Sequence, residues 1–488
     1  MNILFIQSLN DIQSPSKPLQ THQQIQFGIS YISSLLKKNG HNTKLVVLSR
    51  NSVRKSKEIL RKYLKEFCPR LICFTAVATE YSFIANVAKH VKANHPDIYL
   101  LIGGPHASLN PQEVSRGDFD AICVGEGEYP TIELVEQLEK GAVPTGIANL
   151  WIKNGSPIEK NSPRPFIEDL DSLPYPDRQM WLDWIKDESA VENSVLISRG
   201  CPFECSYCCN HAFKKLAGGH YVRFRSPDNI IGEIRQIITR FPATKQIFLE
   251  AETISINKGR TIELCAKLEE LNGTLRQPIS FGSNIRITPD SDYEELFDAF
   301  EKSNFCFINI GVESGSEKVR RETLKRNYSN EDIINAAALA RKHGLKIAFF
   351  NIVGLPGETI DDFMETVKIN RTCLPDRHYT SIFFPYPGTE LYSLCTQRGL
   401  LKQTLDTTME RRKAVLDLPD FHRKQIQKCF IWFDYYVYRG LKPKYKILAS
   451  VLRSKLSSKN YLNCLYRKLT SLSLFRTAKQ VVKGLPVI

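Results

Sequence analysis

With 488 residues, 42% of them hydrophobic and 24% charged, the chain can bury a sizeable core, which excludes disorder of the whole and suggests two or three globular domains. The formal charge of +14 resembles a nucleic-acid signature until it is located: Phe421 to Ile488 carries 15 Lys and Arg against the single acid Asp434, while the preceding 420 residues balance 51 against 51. The 13 cysteines are odd in number and mostly single in apolar runs, and no secretory apolar segment follows Met1, so a reducing cytosol is expected rather than a disulfide-stapled scaffold.

From Met1, the apolar runs "NILFIQ", "NTKLVVL", "RLICFTA", "YLLIGG" and "AICVGEG" alternate with segments of helix length such as "FGISYISSLLKKNG". Buried parallel strands with crossover helices read this way. Residues 1–145 are therefore predicted to form a Rossmann-like doubly wound sheet, with any ligand in the loops "TAVATEY", "GGPHAS" and "GEGEYP" at the carboxyl ends of the strands. No GxGxxG follows the first strand, so a dinucleotide fingerprint is missing.

Residues 146–190 contain "NGSPIEKNSPRPF" and "LDSLPYPDRQMW", whose prolines break every helical period, and read as a linker able to pack. Over 191–400 a second series follows: strands "SVLISRG", "KQIFLEA", "ISFGSNI", "FCFINIGVE", "KIAFFNIVG" and "HYTSIFFP" alternate with helical patterns near 226–240, 258–272, 291–303, 329–343 and 360–372. Six such units predict a (βα)6 partial TIM barrel, with its chemistry at the carboxyl ends of the strands. Residues 401–488 are expected to be mainly helical and basic, and no run reaches the roughly 18 apolar residues of a membrane-spanning helix.

The loop after the first barrel strand, "SRGCPFECSYC", places Cys201, Cys205 and Cys208 in a CxxxCxxC spacing that lets three thiolates converge. A structural zinc site needs a fourth ligand, usually from a second pair; none appears downstream, and Cys209 points away from its neighbour while His211 is the one nearby alternative. Three thiolates also suit an iron–sulfur cluster with one iron left open to substrate.

With Tyr207 before the last cysteine, the motif closely resembles the signature of the radical S-adenosylmethionine (SAM) superfamily. The resemblance implies a 4Fe-4S cluster on Cys201, Cys205 and Cys208 whose open iron chelates SAM. Where the superfamily often has an acid that holds the SAM ammonium, the second strand ends in "FLEAETISIN", offering Glu250 or Glu252 but none of the usual glycines. "GSNIRI" and "IGVESGSE" would bring Ser283, Arg286, Glu313 and Ser314 to the same rim, with Arg286 paired to an acid or to the SAM carboxylate. In "NIVGLPGET", Gly354 and Gly357 permit a close backbone approach to adenine or ribose.

The order of "FGISYISSLLKKNGH", "LIGGPHASLNPQEV" and "CVGEGEYPTIELVEQL" ahead of such a barrel resembles the cobalamin-binding-domain radical SAM family, over about residues 1–400. Gly103 and Gly104 would leave room for a corrin, while Thr75, Ser108 and the backbone of Val124, Gly125, Glu126 and Gly127 would offer hydrogen bonds; glycine loops equally suit tight turns. The DxHxxG motif that supplies a cobalt ligand elsewhere is absent, so the resemblance implies base-off cobalamin with His106 at the corrin periphery rather than on cobalt.

In the tail, Leu462, Leu465, Leu469 and Leu472 recur at helical spacing with Arg467, Lys468, Arg476 and Lys479 off that face, an amphipathic basic helix suited to capping the barrel or to lying on an anionic membrane. No RNA-binding module accompanies it, which favours a small-molecule, lipid or peptide substrate over a nucleic acid. The resemblance implies reductive SAM cleavage, fed by an electron donor such as flavodoxin or ferredoxin, and cobalamin-dependent C-methylation of an unactivated carbon. The rivals are a cyclase, rearrangement or oxidation enzyme of the same build and, from another class, a non-catalytic metal-binding protein.

Overall fold

The computed structural model describes residues 1–9, 17–187, 189–289, 292–401, 405, 407 and 409–458. The expected tail helix at 461–478 lies outside them. By contacts the chain divides into two compact units, one of residues 1–311, 336–347 and 385–394 and the other of 312–335, 348–384 and 395–488.

The first unit opens with seven strands: β1 (Asn2–Leu9), β2 (Asn42–Ser49), β3 (Leu71–Thr75), β4 (Tyr99–Gly103), β5 (Ala121–Cys123), β6 (Leu150–Ile152) and β7 (Glu159–Lys160). They form one sheet in the order β2-β1-β3-β4-β5-β6-β7, parallel from β2 to β5. Ile3, Leu4, Phe5 and Ile6 on the central strand are fully buried, as an apolar run sandwiched between helices must be. The order 2-1-3-4-5 reverses between β1 and β3, and at such a reversal a crevice opens outside the carboxyl ends of the strands. Helices α1 (Phe27–Lys38), α2 (Val53–Phe67) and α3 (Tyr81–Asn94) supply the crossovers.

The proline-rich stretch after residue 145 does pack. β6 and β7 extend the sheet antiparallel. Farther on, the indole of Trp181 donates to Ser30 Oγ at 2.8 Å and that of Trp184 to the Leu45 carbonyl at 3.1 Å, binding the stretch to the first domain.

All six strands of the second series are present: β8 (Glu192–Leu196), β11 (Gln246–Glu250), β12 (Ser280–Ile285), β13 (Phe305–Glu313), β14 (Lys346–Val353) and β15 (Arg377–Ile382), with a short β9 (Ser198–Arg199) and β10 (Arg223–Phe224) between the first two. In the first unit β8, β11, β12 and β13 are successive parallel neighbours; in the second, β14 and β15 pair in parallel. The helices expected between them are found at Pro227–Arg240, Lys258–Gly273, Glu294–Lys302, Asn330–Lys342 and Ile360–Cys373.

The second unit ends in two helices, Arg423–Tyr438 and Lys444–Ser457. The aromatic run of the first turns inward: Phe433 is buried 6.0 Å from the Phe363 ring and 5.1 Å from that of His378. Among the described residues no helix is long and apolar enough to cross a membrane.

Candidate active site

The cysteine loop leaves β8 through β9 and returns along β10, which pairs antiparallel with β9. Gly200, at φ +84°, makes this crossing possible, since a Cβ there would stand 2.0 Å from the Tyr221 carbonyl oxygen, inside any allowed contact. The Cys208 amide donates to the Cys205 carbonyl at 3.0 Å, a turn that curls the loop between the second and third cysteines. Asn210 Nδ2 lies 3.5 Å from Cys208 Sγ and is oriented by the Tyr221 hydroxyl, which donates to Asn210 Oδ1 at 2.6 Å.

The surroundings discriminate among the thiols. Burial pushes Cys201 up to about 11, and the neighbouring Glu252, Cys205 and Cys208 add to the rise. Cys205 is buried with the Arg286 Nη1 only 2.6 Å from its sulfur, a cation placed where a thiolate would form. The Arg286 guanidinium also lies over the Phe203 ring at 3.8 Å, so the loop itself fixes its orientation. Cys209 is the hydrogen-bond partner of Cys208, which lowers the pKa of Cys208 and raises that of Cys209. Cys209 thus behaves as a donor to a ligand-position sulfur.

These features fit an iron–sulfur cluster. The Cys201 thiol feels the charge of both other cysteines, yet among the described residues no three His, Cys, Asp or Glu side chains close on a single metal ion. The three loop cysteines offer the donor set of such a cluster, one thiolate to each of three irons.

The other residues expected around SAM are divided between the units. In the first, Glu250 ends β11, partly buried, and burial followed by the charge of Glu252 raises it to about 7. Glu252 is exposed, and its charge is felt at Cys201, Cys208 and Cys209. Ser283 is fully buried, its hydroxyl donating to the Leu249 carbonyl at 2.7 Å. Tyr207 is half-buried on the cysteine loop. In the second unit, Glu313 pairs with Arg326 at 3.2 Å, the Ser314 carbonyl accepts from Arg320 at 2.6 Å, and the Gly354 amide donates to the buried Glu358.

At the carboxyl edge of the N-terminal sheet, the three loops, two of them glycine-bearing, are joined to one another. The Ala76 amide donates to the Gly103 carbonyl at 3.3 Å, His106 N–H to the Ala76 carbonyl at 3.1 Å, and Gly125 N–H to Ser108 Oγ at 3.1 Å. Gly104, at φ +92°, lies so close to Thr75 that a Cβ would stand 2.7 Å from its hydroxyl oxygen. Val124 is anchored from the opposite side by Asn149, whose carbonyl accepts the Val124 amide at 2.8 Å. His106 is buried 4.4 Å from the Tyr81 ring, with Nε2 lacking a hydrogen-bond partner, and burial lowers it to about 4. A neutral, ring-packed imidazole of this kind suits the periphery of a large flat ligand, and the low, side-chain-poor edge suits its face.

One feature was not read from the sequence. Glu126, on the third of these loops, accepts from Arg199 at 2.9 Å, from Arg223 at 2.9 and 3.0 Å and from the Ile167 amide at 2.8 Å; Glu128 accepts from Arg199 at 2.6 Å. Arg199 lies on β9, two residues before Cys201, and Arg223 on β10. Burial pulls Glu126 upward, but the two guanidinium groups outweigh it and hold the carboxyl below its ordinary value. Two arginines and two glutamates thus bolt both strands of the cysteine loop to the edge of the N-terminal sheet. The available signal was arginine at both ends of the loop, in "SRGC" and "YVRF", against the paired acids of "GEGE".

A doubly wound domain is fastened here to a parallel βα series that carries a three-cysteine loop, an arrangement that offers a metal-binding loop and a separate crevice for a second ligand. Comparison specifies it: residues 195–369 match the radical SAM superfamily and residues 22–135 the B12 binding domain. An uncharacterized methyltransferase of Pyrococcus horikoshii is 27% identical over 425 residues, 86% of this chain and 88% of that protein. The anaerobic magnesium-protoporphyrin IX monomethyl ester cyclase of Rubrivivax gelatinosus is 26% identical over 75% of this chain and 65% of its own length. Among solved structures, the radical SAM methyltransferase TsrM of Kitasatospora setae, with cobalamin and [4Fe-4S] cluster bound, superposes with a TM-score of 0.65 at 14% identity, over 93% of this chain and 90% of that one. The cobalamin-dependent radical enzyme OxsB gives 0.68 at 15% identity, over 96% and 75%.

The chain carries a radical SAM domain and a B12-binding domain and is a radical SAM enzyme whose cofactors are a 4Fe-4S cluster, SAM and cobalamin. Such an enzyme needs a reductant and a substrate.

Proposed function

We propose that this enzyme is a C-methyltransferase acting on an unactivated carbon of a small molecule, lipid or peptide, with flavodoxin or ferredoxin as its reductant. The observation that carries the reading is the Arg199–Arg223–Glu126–Glu128 cluster, because methyl transfer between two cofactors demands that their sites be held in fixed register. When bound, the cluster supplies the reductive cleavage of SAM and cobalamin supplies a methyl carrier.

In this reading the chain works as residues 1–145 for cobalamin, 146–190 as a packed linker, 191–400 for SAM and 401–488 as a basic helical end. Cys201, Cys205 and Cys208 hold the cluster, and Arg286 steadies the Cys205 thiolate. In the first unit Glu250 or Glu252 receives the SAM ammonium beside Tyr207 and Ser283; in the second, Glu313, Ser314 and Gly354 are the SAM contacts that the family resemblance implies. Thr75, Gly103, Gly104, His106, Ser108 and the Val124, Gly125, Glu126 and Gly127 loop border the corrin, Glu126 by its backbone since its carboxylate is occupied. Buried side chains around the loop keep water from the reacting atoms.

A second reading, ring formation or oxidation without methyl transfer, draws on the similarity to the cyclase of Rubrivivax gelatinosus. Anaerobic turnover with methyl-labelled SAM separates the two. One labelled methyl per product, together with 5′-deoxyadenosine, supports methylation; 5′-deoxyadenosine with an unlabelled product supports the second; absence of SAM cleavage removes both.

A further inference from the structure

The last described helix, Lys444–Ser457, shows two apolar stripes where a simple barrel cap needs one. Ile447 and Val451 are buried, at 4% and 6% exposure. Tyr445, Leu448 and Leu452 form another stripe and stand 69%, 52% and 55% exposed. At about 100° per residue these three share one outward face, continued by Leu456 and Ala449. Lys444 and Lys455 run along one border of that face and Lys446 and Arg453 along the other, all four exposed. Leu441, 49% exposed in the turn just before, adds to the apolar surface.

We infer that this face of Lys444–Ser457 docks on an anionic lipid bilayer. An exposed leucine alone is ordinary, but aromatic and aliphatic side chains in register between two rows of cations are the arrangement that an interfacial helix needs. The apolar stripe enters the acyl boundary while the lysine and arginine stems reach up to the phosphates. Charge complementarity selects the occupant: between Arg439 and Ile488 there is no acid to repel an anionic surface, and each basic residue near such a surface adds attraction. The neighbouring helix does not compete for this role, because Phe433, Val437 and Tyr438 of Arg423–Tyr438 are already buried. The inference is independent of the reaction proposed above and places the enzyme where a lipid-soluble substrate would be met.

The test is flotation of the anaerobically purified full-length holoenzyme with phosphatidylcholine vesicles, with and without phosphatidylglycerol. Binding is expected to the anionic vesicles alone, to weaken with salt, and to fall roughly tenfold or more in a Leu448→Glu, Leu452→Glu double variant whose cluster absorbance and SAM cleavage are unchanged. Lys446→Ala with Arg453→Ala should lower binding by a smaller factor and reduce its salt dependence. No binding to anionic vesicles at low salt overturns the inference, as does equal binding by the double leucine variant. If the wild-type chain instead sediments as a dimer that the leucine variant converts to monomer, with no vesicle binding, the face belongs to a second copy.

Discussion

The cysteine loop and the glycine-rich edge of the N-terminal sheet are two sites in one unit of this chain, built on opposite principles. The loop concentrates its donors: three cysteines within eight residues, one buried arginine and a close turn at Gly200. The edge contributes few side-chain donors, and its three loops from three strands are joined by two backbone hydrogen bonds and one from the Gly125 amide to the Ser108 hydroxyl. A site that binds metal by covalent donors tolerates no substitution among them, whereas one that binds by shape distributes its demands and depends on what fixes its loops in place.

The largest test of that contrast is alanine at Cys201, Cys205 or Cys208, each expected to abolish cluster absorbance and SAM cleavage while cobalamin binding persists. Cys209→Ala, beside them, should retain the cluster; its loss there alone would overturn the ligand assignment. Next comes the bolt between the regions. Glu126→Ala leaves the buried Arg223 guanidinium without a carboxylate, while Arg199 keeps Glu128, and should cost on the order of 3 kcal/mol by thermal unfolding. Cobalamin retention should fall with it, while Thr75→Ser should change little.

Smaller is Arg286→Lys, which keeps a charge near Cys205 but loses the planar stacking on Phe203, and should raise the rate of cluster loss under a chelator several-fold. The subtlest is pH. Glu126 is held below its ordinary value, so its contribution to stability is full above the normal carboxylate range and is lost as pH falls through its folded value. Glu250 has the reverse sign: raised to about 7, it favours the fold below its ordinary pKa and that contribution is lost as pH rises through about 7. If Glu250 receives the SAM ammonium as a carboxylate, KM for SAM should rise below about pH 7, and Glu250→Gln should flatten the profile.

Much of this was legible beforehand because local periodicity carries it. The apolar runs of the sheet and of the second series became strands, and the five intervening helical patterns became helices. Less legible was the burial of Phe433 and Tyr438 in the aromatic run Phe430 to Tyr438, because it depends on Phe363 and His378 coming to meet them. Glu126 looked like a ligand-loop acid; its engagement by Arg199 and Arg223, 73 and 97 residues away, follows from tertiary folding alone.

The chain's amino-acid order by itself determined the element types and the spacing of the three loop cysteines, since both rest on near neighbours: the strand pleat, the helical turn and the reach of one loop. Only the tertiary structure decided which charges pair and which apolar faces stay open. It set Arg286 against Cys205, bolted the loop to the sheet edge through Glu126 and Glu128, and left Tyr445, Leu448 and Leu452 outward, because pairing and burial depend on what distant segments bring to the same place.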